Sequence, residues 1–127
     1  MIVGFGLDVV EVARIARQLE APSAERFLAR VFTERERSFC DRFRDRANRY
    51  AARFAAKEAA SKALGVPAGI AFHDVEVVRE EGPPRLVLSG VADGAARALG
   101  VARAHLTITH DGGFAAAAVI LEAPGAL

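Results

Sequence analysis

Arg53-Phe54-Ala55-Ala56-Lys57-Glu58-Ala59-Ala60-Ser61-Lys62-Ala63-Leu64-Gly65 is an alanine-rich run of strong helix formers that stops at a glycine, with Pro67 two residues further on. Counting back to Asn48 as N-cap predicts a helix of about sixteen residues and ~24 Å, long enough to cross a small domain. Along it Glu58, Ser61, Lys62 and Gly65 recur at i, i+3, i+4 and i+7. One stripe therefore carries an acid, a hydroxyl and an amine among small neighbours that leave room for a ligand. A Glu four residues before a Lys is also the commonest solvated helix pair, worth ~0.3–0.5 kcal/mol and no function. Here the run is apolar, with Phe54 one turn before Glu58, and partial burial of the pair is expected.

The amino-terminal stretch Ile2-Val3-Gly4-Phe5-Gly6-Leu7-Asp8-Val9-Val10 is of strand length and β-branched, broken by one acid. With a two-residue period Asp8 shares a face with Gly4 and Gly6, while Val3, Phe5, Leu7 and Val9 are expected to form the core-facing row. Asp8 then overlooks a shelf without side chains. Capping the next helix is an equally open role for it. In that next segment Val12, Ile15, Ala16 and Leu19 make an apolar stripe at helical spacing and leave Arg14 and Arg17 outside.

The 127 residues predict one domain, 1–127, with 52% hydrophobic content sufficient for a core and short enough that oligomerisation helps. Seventeen basic against sixteen acidic side chains provide no net field toward nucleic acid or a membrane surface. The single Cys40 cannot form an intrachain disulfide, and the chain enters its first strand without a charged leader, so a cytoplasmic location is expected. No apolar run reaches the roughly twenty residues of a membrane span.

Between the two signature stretches, Ser23 is placed to cap a short helix with Phe27, Leu28 and Val31, and Thr33-Glu34-Arg35-Glu36 opens another with a capping box. The basic stretch Arg42 to Arg49, interleaved with Asp41 and Asp45, reads as an exposed loop; no stacking platform or nucleic-acid motif accompanies it. Asp74 to Arg79 and Arg85 to Leu88 predict a hairpin about Glu81-Gly82-Pro83-Pro84, and Val91 to Leu99 a last helix. His105 to His110 predicts a strand turned by Asp111-Gly112-Gly113 into Phe114 to Leu121, where four alanines leave helix or strand open. The fold class is α+β, a small antiparallel sheet packed on one long helix and several short ones.

Two signatures resemble one family. Arg53 to Gly65 is similar to the signature helix of the holo-acyl-carrier-protein synthases, the small class of 4′-phosphopantetheinyl transferases, and Gly6-Leu7-Asp8-Val9-Val10-Glu11-Val12-Ala13-Arg14 matches their amino-terminal motif. Thr107-Ile108-Thr109-His110 corresponds to their Ser-x-Ser-His segment, with threonine at both hydroxyl positions. Phe114 stands where tyrosine is usual and Phe72 where tryptophan is common, which removes any hydrogen bond those side chains make.

The resemblance implies transfer of 4′-phosphopantetheine from coenzyme A to a serine of an acyl carrier protein, releasing adenosine 3′,5′-bisphosphate. It implies Mg²⁺ at Asp8 and Glu58, a hard ion that takes one or two carboxylates and leaves its other positions to water and phosphate. The chain offers no thiolate or imidazole cluster for zinc and no phosphate-cradling glycine loop followed by Lys-Ser or Lys-Thr. Asp8, Glu58 and Lys62 are expected to be catalytic, with Lys62 on the phosphates and Glu58, directly or through water, as base. Arg53, Ser61, Lys62, Gly65, Thr109 and His110 are expected around coenzyme A, and Arg14 and Arg17 at the acidic carrier. Assembly as a homotrimer with shared active sites is implied as well. The alternative is a non-catalytic coenzyme A-binding, nucleotide-binding or assembly subunit of the same fold.

Overall fold

The computed structural model describes residues 1–125, so the last two residues of the expected 1–127 unit lie outside the described residues. In chain order the elements are β1 (Ile2–Glu11), α1 (Val12–Glu20), α2 (Ala24–Val31), α3 (Glu34–Cys40), α4 (Arg46–Ala63), a 3-10 turn (Phe72–Asp74), β2 (Val75–Val78), β3 (Arg85–Leu88), α5 (Gly90–Ala98), β4 (Arg103–Asp111) and β5 (Phe114–Glu122). The α+β class is as expected. The strands divide into two sheets, an antiparallel three-stranded one in the order β1-β5-β4 and the hairpin β2-β3.

Helix α4 is the axis of the molecule. It begins at Arg46 with Asp45 in the N-cap position, earlier than the Asn48 cap expected from sequence. Its alanines at 51, 52, 55, 56, 59, 60 and 63 are all buried, because the sheet packs along one side and the shorter elements along the others. The end is a Schellman motif: Gly65 N–H donates to Lys62 O at 3.0 Å and Val66 N–H to Ser61 O at 2.8 Å, with Gly65 at φ +83°. Gly65 therefore has a structural reason to be glycine.

The face assignment of β1 is reversed. Phe5, Leu7 and Val9 point away from the core, 60%, 54% and 59% exposed, while Gly4, Gly6 and Val10 face α4. Val3, beside a register shift between Ile2 and Gly4, is half-buried against the core. The cause is proximity: a Cβ on Gly6 would lie 1.8 Å from Ala59 O and one on Gly4 2.2 Å from Ala63 O. The shelf read as empty is occupied by the α4 backbone, and only glycine admits it.

The four alanines of β5 form strand. Ala115, Ala117, Val119 and Leu121 point inward, and Ala116, Ala118 and Ile120 lie on the outer face with Phe5, Leu7 and Val9. Two partner strands satisfy the β5 backbone, and small side chains let α4 approach, so tertiary context overrides weak strand propensity. The Thr33 capping box forms at α3, whereas Ser23 occupies its N-cap position without a side-chain bond. Glu11 holds the N-cap position of α1, so Asp8 is not that helix's cap. Cys40 is fully buried, its thiol pushed up to about 12 by desolvation, which fits a packing role. Among the described residues no helix is long and apolar enough to cross a membrane.

Candidate active site

Asp8, Glu58 and Lys62 meet where β1 crosses the carboxy-terminal half of α4. The β1 face that carries Gly4, Gly6 and Asp8 lies against α4, so the closeness the glycines allow delivers the Asp8 carboxylate to the helix stripe of Glu58 and Lys62. Lys62 Nζ donates to Asp8 Oδ1 and to Leu7 O, each at 3.0 Å. The i,i+4 pairing of Glu58 with Lys62 suggested by spacing gives way to this cross-element bridge. Burial first and the Asp8 carboxylate second push Glu58 above the ordinary carboxylate range, with Lys62 opposing them.

Lys57, Glu58 and Ser61 of α4 line a slot of about 80 Å³ together with Ile70, Ala71, Phe72 and Val75. Phe72 also lines a groove of about 460 Å³ between α1, α2 and α4, where Arg26, Arg30 and Gln18 surround Phe27 and Phe54. Sequence periodicity did not single out Arg26 and Arg30, since arginines on a short helix carry no signal of the cavity beside them. Arg14 and Arg17 are exposed on the outer face of α1, as expected.

A second cavity, of about 350 Å³, gathers Arg53, Thr109 and His110 with Arg49, Arg79 and the turn prolines Pro83 and Pro84. Arg53 is only 4% exposed; its guanidinium lies 4.2 Å over the Phe39 ring, and its Nε has no partner. One Nη1 contact, to Arg49 O at 3.4 Å, leaves most of its donors unspent beside this basic cavity. The Arg42–Arg49 stretch, expected as a loop, is partly the start of α4 and is internally paired: Arg46 with Asp41 at 3.0 Å and Arg49 with Asp45 at 3.3 Å. The structure thus brings the predicted residues together in two groups, Asp8-Glu58-Ser61-Lys62 and Arg53-Thr109-His110. The slot and the second cavity have no lining residue in common.

Two carboxylates on neighbouring elements, Glu58 raised by burial and then by Asp8, and accompanied by a single half-exposed ammonium, form an oxygen-donor set with charge to spare for a cation. Among the described residues no group of three or more His, Cys, Asp or Glu side chains is placed to hold a metal. The set therefore fits an ion that takes few protein ligands and completes its shell with water and phosphate.

The family model for the 4′-phosphopantetheinyl transferase superfamily matches residues 4–119. The chain belongs to this superfamily. It is 66% identical over 127 residues to a holo-[acyl-carrier-protein] synthase of Anaeromyxobacter dehalogenans, covering 98% of this chain and 99% of that one. Its fold is similar to the Helicobacter pylori holo-[acyl-carrier-protein] synthase crystallised with coenzyme A, with TM-score 0.80, 30% identity and coverage of 93% and 99% of the two chains. It is likewise similar to a Bacillus anthracis holo-(acyl-carrier-protein) synthase in complex with CoA (3′,5′-ADP), with TM-score 0.78, 36% identity and coverage of 98% and 99%. The superfamily match runs through both signature stretches, so Asp8, Glu58 and Lys62 all fall inside it.

Proposed function

We propose that this chain transfers 4′-phosphopantetheine from coenzyme A to a serine of an acyl carrier protein, converting apo to holo carrier and releasing adenosine 3′,5′-bisphosphate. The observation that carries the reading is the Asp8–Glu58–Lys62 cluster inside a chain 66% identical, end to end, to a holo-[acyl-carrier-protein] synthase. Retention of this cluster speaks against a silent binding or assembly subunit. Residues 1–127 act as one transferase domain in this reading.

The attacked atom is a pyrophosphate phosphorus, so alignment and charge neutralisation matter more than covalent catalysis. Glu58 accepts the proton of the carrier serine hydroxyl, directly or through one water, and its raised affinity for protons suits it to that task. The serine oxygen forms its bond to phosphorus as the bond to the leaving phosphate breaks. Lys62, held at Asp8 before substrate arrives, turns its ammonium to the phosphoryl oxygens. Asp8 and Glu58 would hold Mg²⁺, which when bound supplies positive charge to the pyrophosphate. Arg53, with His110 and Thr109, takes the peripheral phosphate and ribose of coenzyme A in the basic cavity. Ser61 lines the slot, and Gly65 ends the helix beyond Lys62.

An acidic carrier docks on Arg14 and Arg17, and the groove with Arg26 and Arg30 extends the same basic surface toward Glu58 through Phe72. The homotrimer that the resemblance implies draws support from two features. Phe5, Leu7, Val9 and Phe114 form an exposed apolar face of the three-stranded sheet, beside Thr109 at the rim of the nucleotide cavity. The two residue groups also lie in separate cavities of one chain, which suits a cleft completed by a neighbour. A cytoplasmic location agrees with a buried reduced Cys40.

The test is to mix the protein with an apo carrier, coenzyme A and Mg²⁺ and weigh the carrier. One added phosphopantetheine mass, lost when a chelator is present, is expected; no gain across fatty-acid and polyketide carriers would sink the reading.

A further inference from the structure

Lys57, the neighbour of Glu58 on α4, faces inward. Its Nζ lies 2.8 Å from Glu36 Oε1, with side-chain exposures of 1% and 0%. The ammonium also donates to Phe72 O at 3.1 Å and to Val75 O at 2.6 Å, so all three of its protons are spent. Glu36 in turn accepts from Thr33 N–H at 2.8 Å and from Val77 N–H at 2.9 Å. Together these bonds tie α4 and the first turn of α3 to one short segment, Phe72 to Val77.

That segment supplies the wall opposite Glu58. Phe72 and Val75, whose carbonyls Lys57 holds, face Glu58 and Ser61 across the slot. A buried ion pair is an inefficient way to stabilise a core, since dehydration of both charges offsets their attraction and apolar side chains of equal volume serve as well. What it supplies and apolar packing does not is direction: an ammonium with three acceptors holds two backbone carbonyls in a set geometry.

We propose that Lys57 and Glu36 are positioning residues for the transfer reaction, holding the Phe72–Val75 wall against α4 and so setting the width of the slot where the attacking hydroxyl meets Glu58. The proposal rests on phosphopantetheinyl transfer at Glu58. Lys57 lines the slot, but its ammonium is spent on Glu36 and the two carbonyls and offers it no free donor. The nucleotide cavity at His110 is built from other side chains, so loosening the wall lowers turnover and leaves KM for coenzyme A in place, whereas Phe72 also lines the groove at Arg26 and Arg30 and KM for the carrier moves with it.

The experiment is the double substitution Lys57→Met with Glu36→Leu, which keeps volume and removes both charges. Thermal melting, steady-state kinetics for each substrate and amide exchange at residues 72–77 are measured together. The expected result is a stable fold, kcat lowered about tenfold or more, KM for coenzyme A within about twofold of wild type, and faster exchange in the segment. A stable double variant with wild-type kcat overturns the proposal and leaves the pair a packing device. Should the double variant not fold, Glu36→Gln replaces it: lower kcat per folded molecule at unchanged KM for coenzyme A supports the proposal, and unchanged kcat overturns it. Wild-type protein assayed alongside separates the two readings. A wild type that loads no carrier sinks the transferase function, whereas an active wild type with an equally active variant sinks only the positioning pair.

Discussion

Lys62 Nζ lies 3.0 Å from Asp8 Oδ1, on the neighbouring strand, while Glu58, its i,i+4 partner on the same helix, forms no ion pair among the described residues. The bridge pairs Asp8 and leaves Glu58 in a partly dehydrated position beside a carboxylate, which holds its proton affinity up. A carboxylate that binds protons more tightly than usual suits the base proposed for the serine hydroxyl.

Glu58→Gln is expected to fold normally and to lose transfer by about a hundredfold or more, measured as carrier mass gain per minute. In the metal-free wild type Glu58 takes up its proton above the ordinary 4.5, and stability follows that uptake. Because the folded-state pKa is raised, ionising Glu58 costs stability as pH rises from 4.5 through it, so the Gln variant melts higher at neutral pH. That advantage vanishes below pH 4.5, where wild-type Glu58 is protonated in both states. Melting curves at both pH values check the sign, and near wild-type turnover of the variant would remove Glu58 from the chemistry.

Gly6→Ala places a methyl 1.8 Å from Ala59 O, a backbone atom that cannot rotate away. Strand and helix must separate, and a loss of about 3 kcal/mol or more is expected by urea denaturation. The same separation pulls Asp8 off Lys62, so any folded fraction should transfer poorly.

Phe5→Glu puts a charge on the exposed apolar sheet face without touching the core. Light scattering is expected to report a trimer for wild type and a smaller species for the variant, with activity lost in parallel. A wild-type monomer whose specific activity is unchanged on dilution would contradict a shared cleft.

Arg14→Glu is expected to raise KM for the carrier several-fold, flatten its salt dependence and leave the coenzyme A titration unaltered, since exposed charges act mainly on encounter and orientation. Steady-state titrations of each substrate at low and high salt decide it. An effect confined to coenzyme A would move the docking surface elsewhere.

Mg²⁺ removal by chelator is expected to abolish transfer without unfolding, because Lys62 already offsets Asp8 in the metal-free chain. Far-ultraviolet circular dichroism before and after chelation separates loss of activity from loss of fold.

Local rules determined much of this protein: the alanine-rich helix and its glycine stop, the Thr33 capping box, the β4–β5 turn at Gly112 and Gly113, and the stripe of Glu58, Ser61 and Lys62 all follow from propensity, capping and period. The chemistry proposed for Asp8, Glu58 and Lys62 came instead from the resemblance of their two stretches to a family. Which face of β1 turns inward did not follow, because period 2 separates Phe5, Leu7 and Val9 from Gly4 and Gly6 without saying which set meets the core. Hydrophobicity pointed to the first set; the close approach of α4, admitted by Gly4 and Gly6 and by the alanines of helix and strand, decided for the second. The Lys57–Glu36 pair was hidden for a related reason. Charged residues twenty-one positions apart read as solvated until packing buries both, and only then must each find the other, since a dehydrated charge without a partner is too costly to keep.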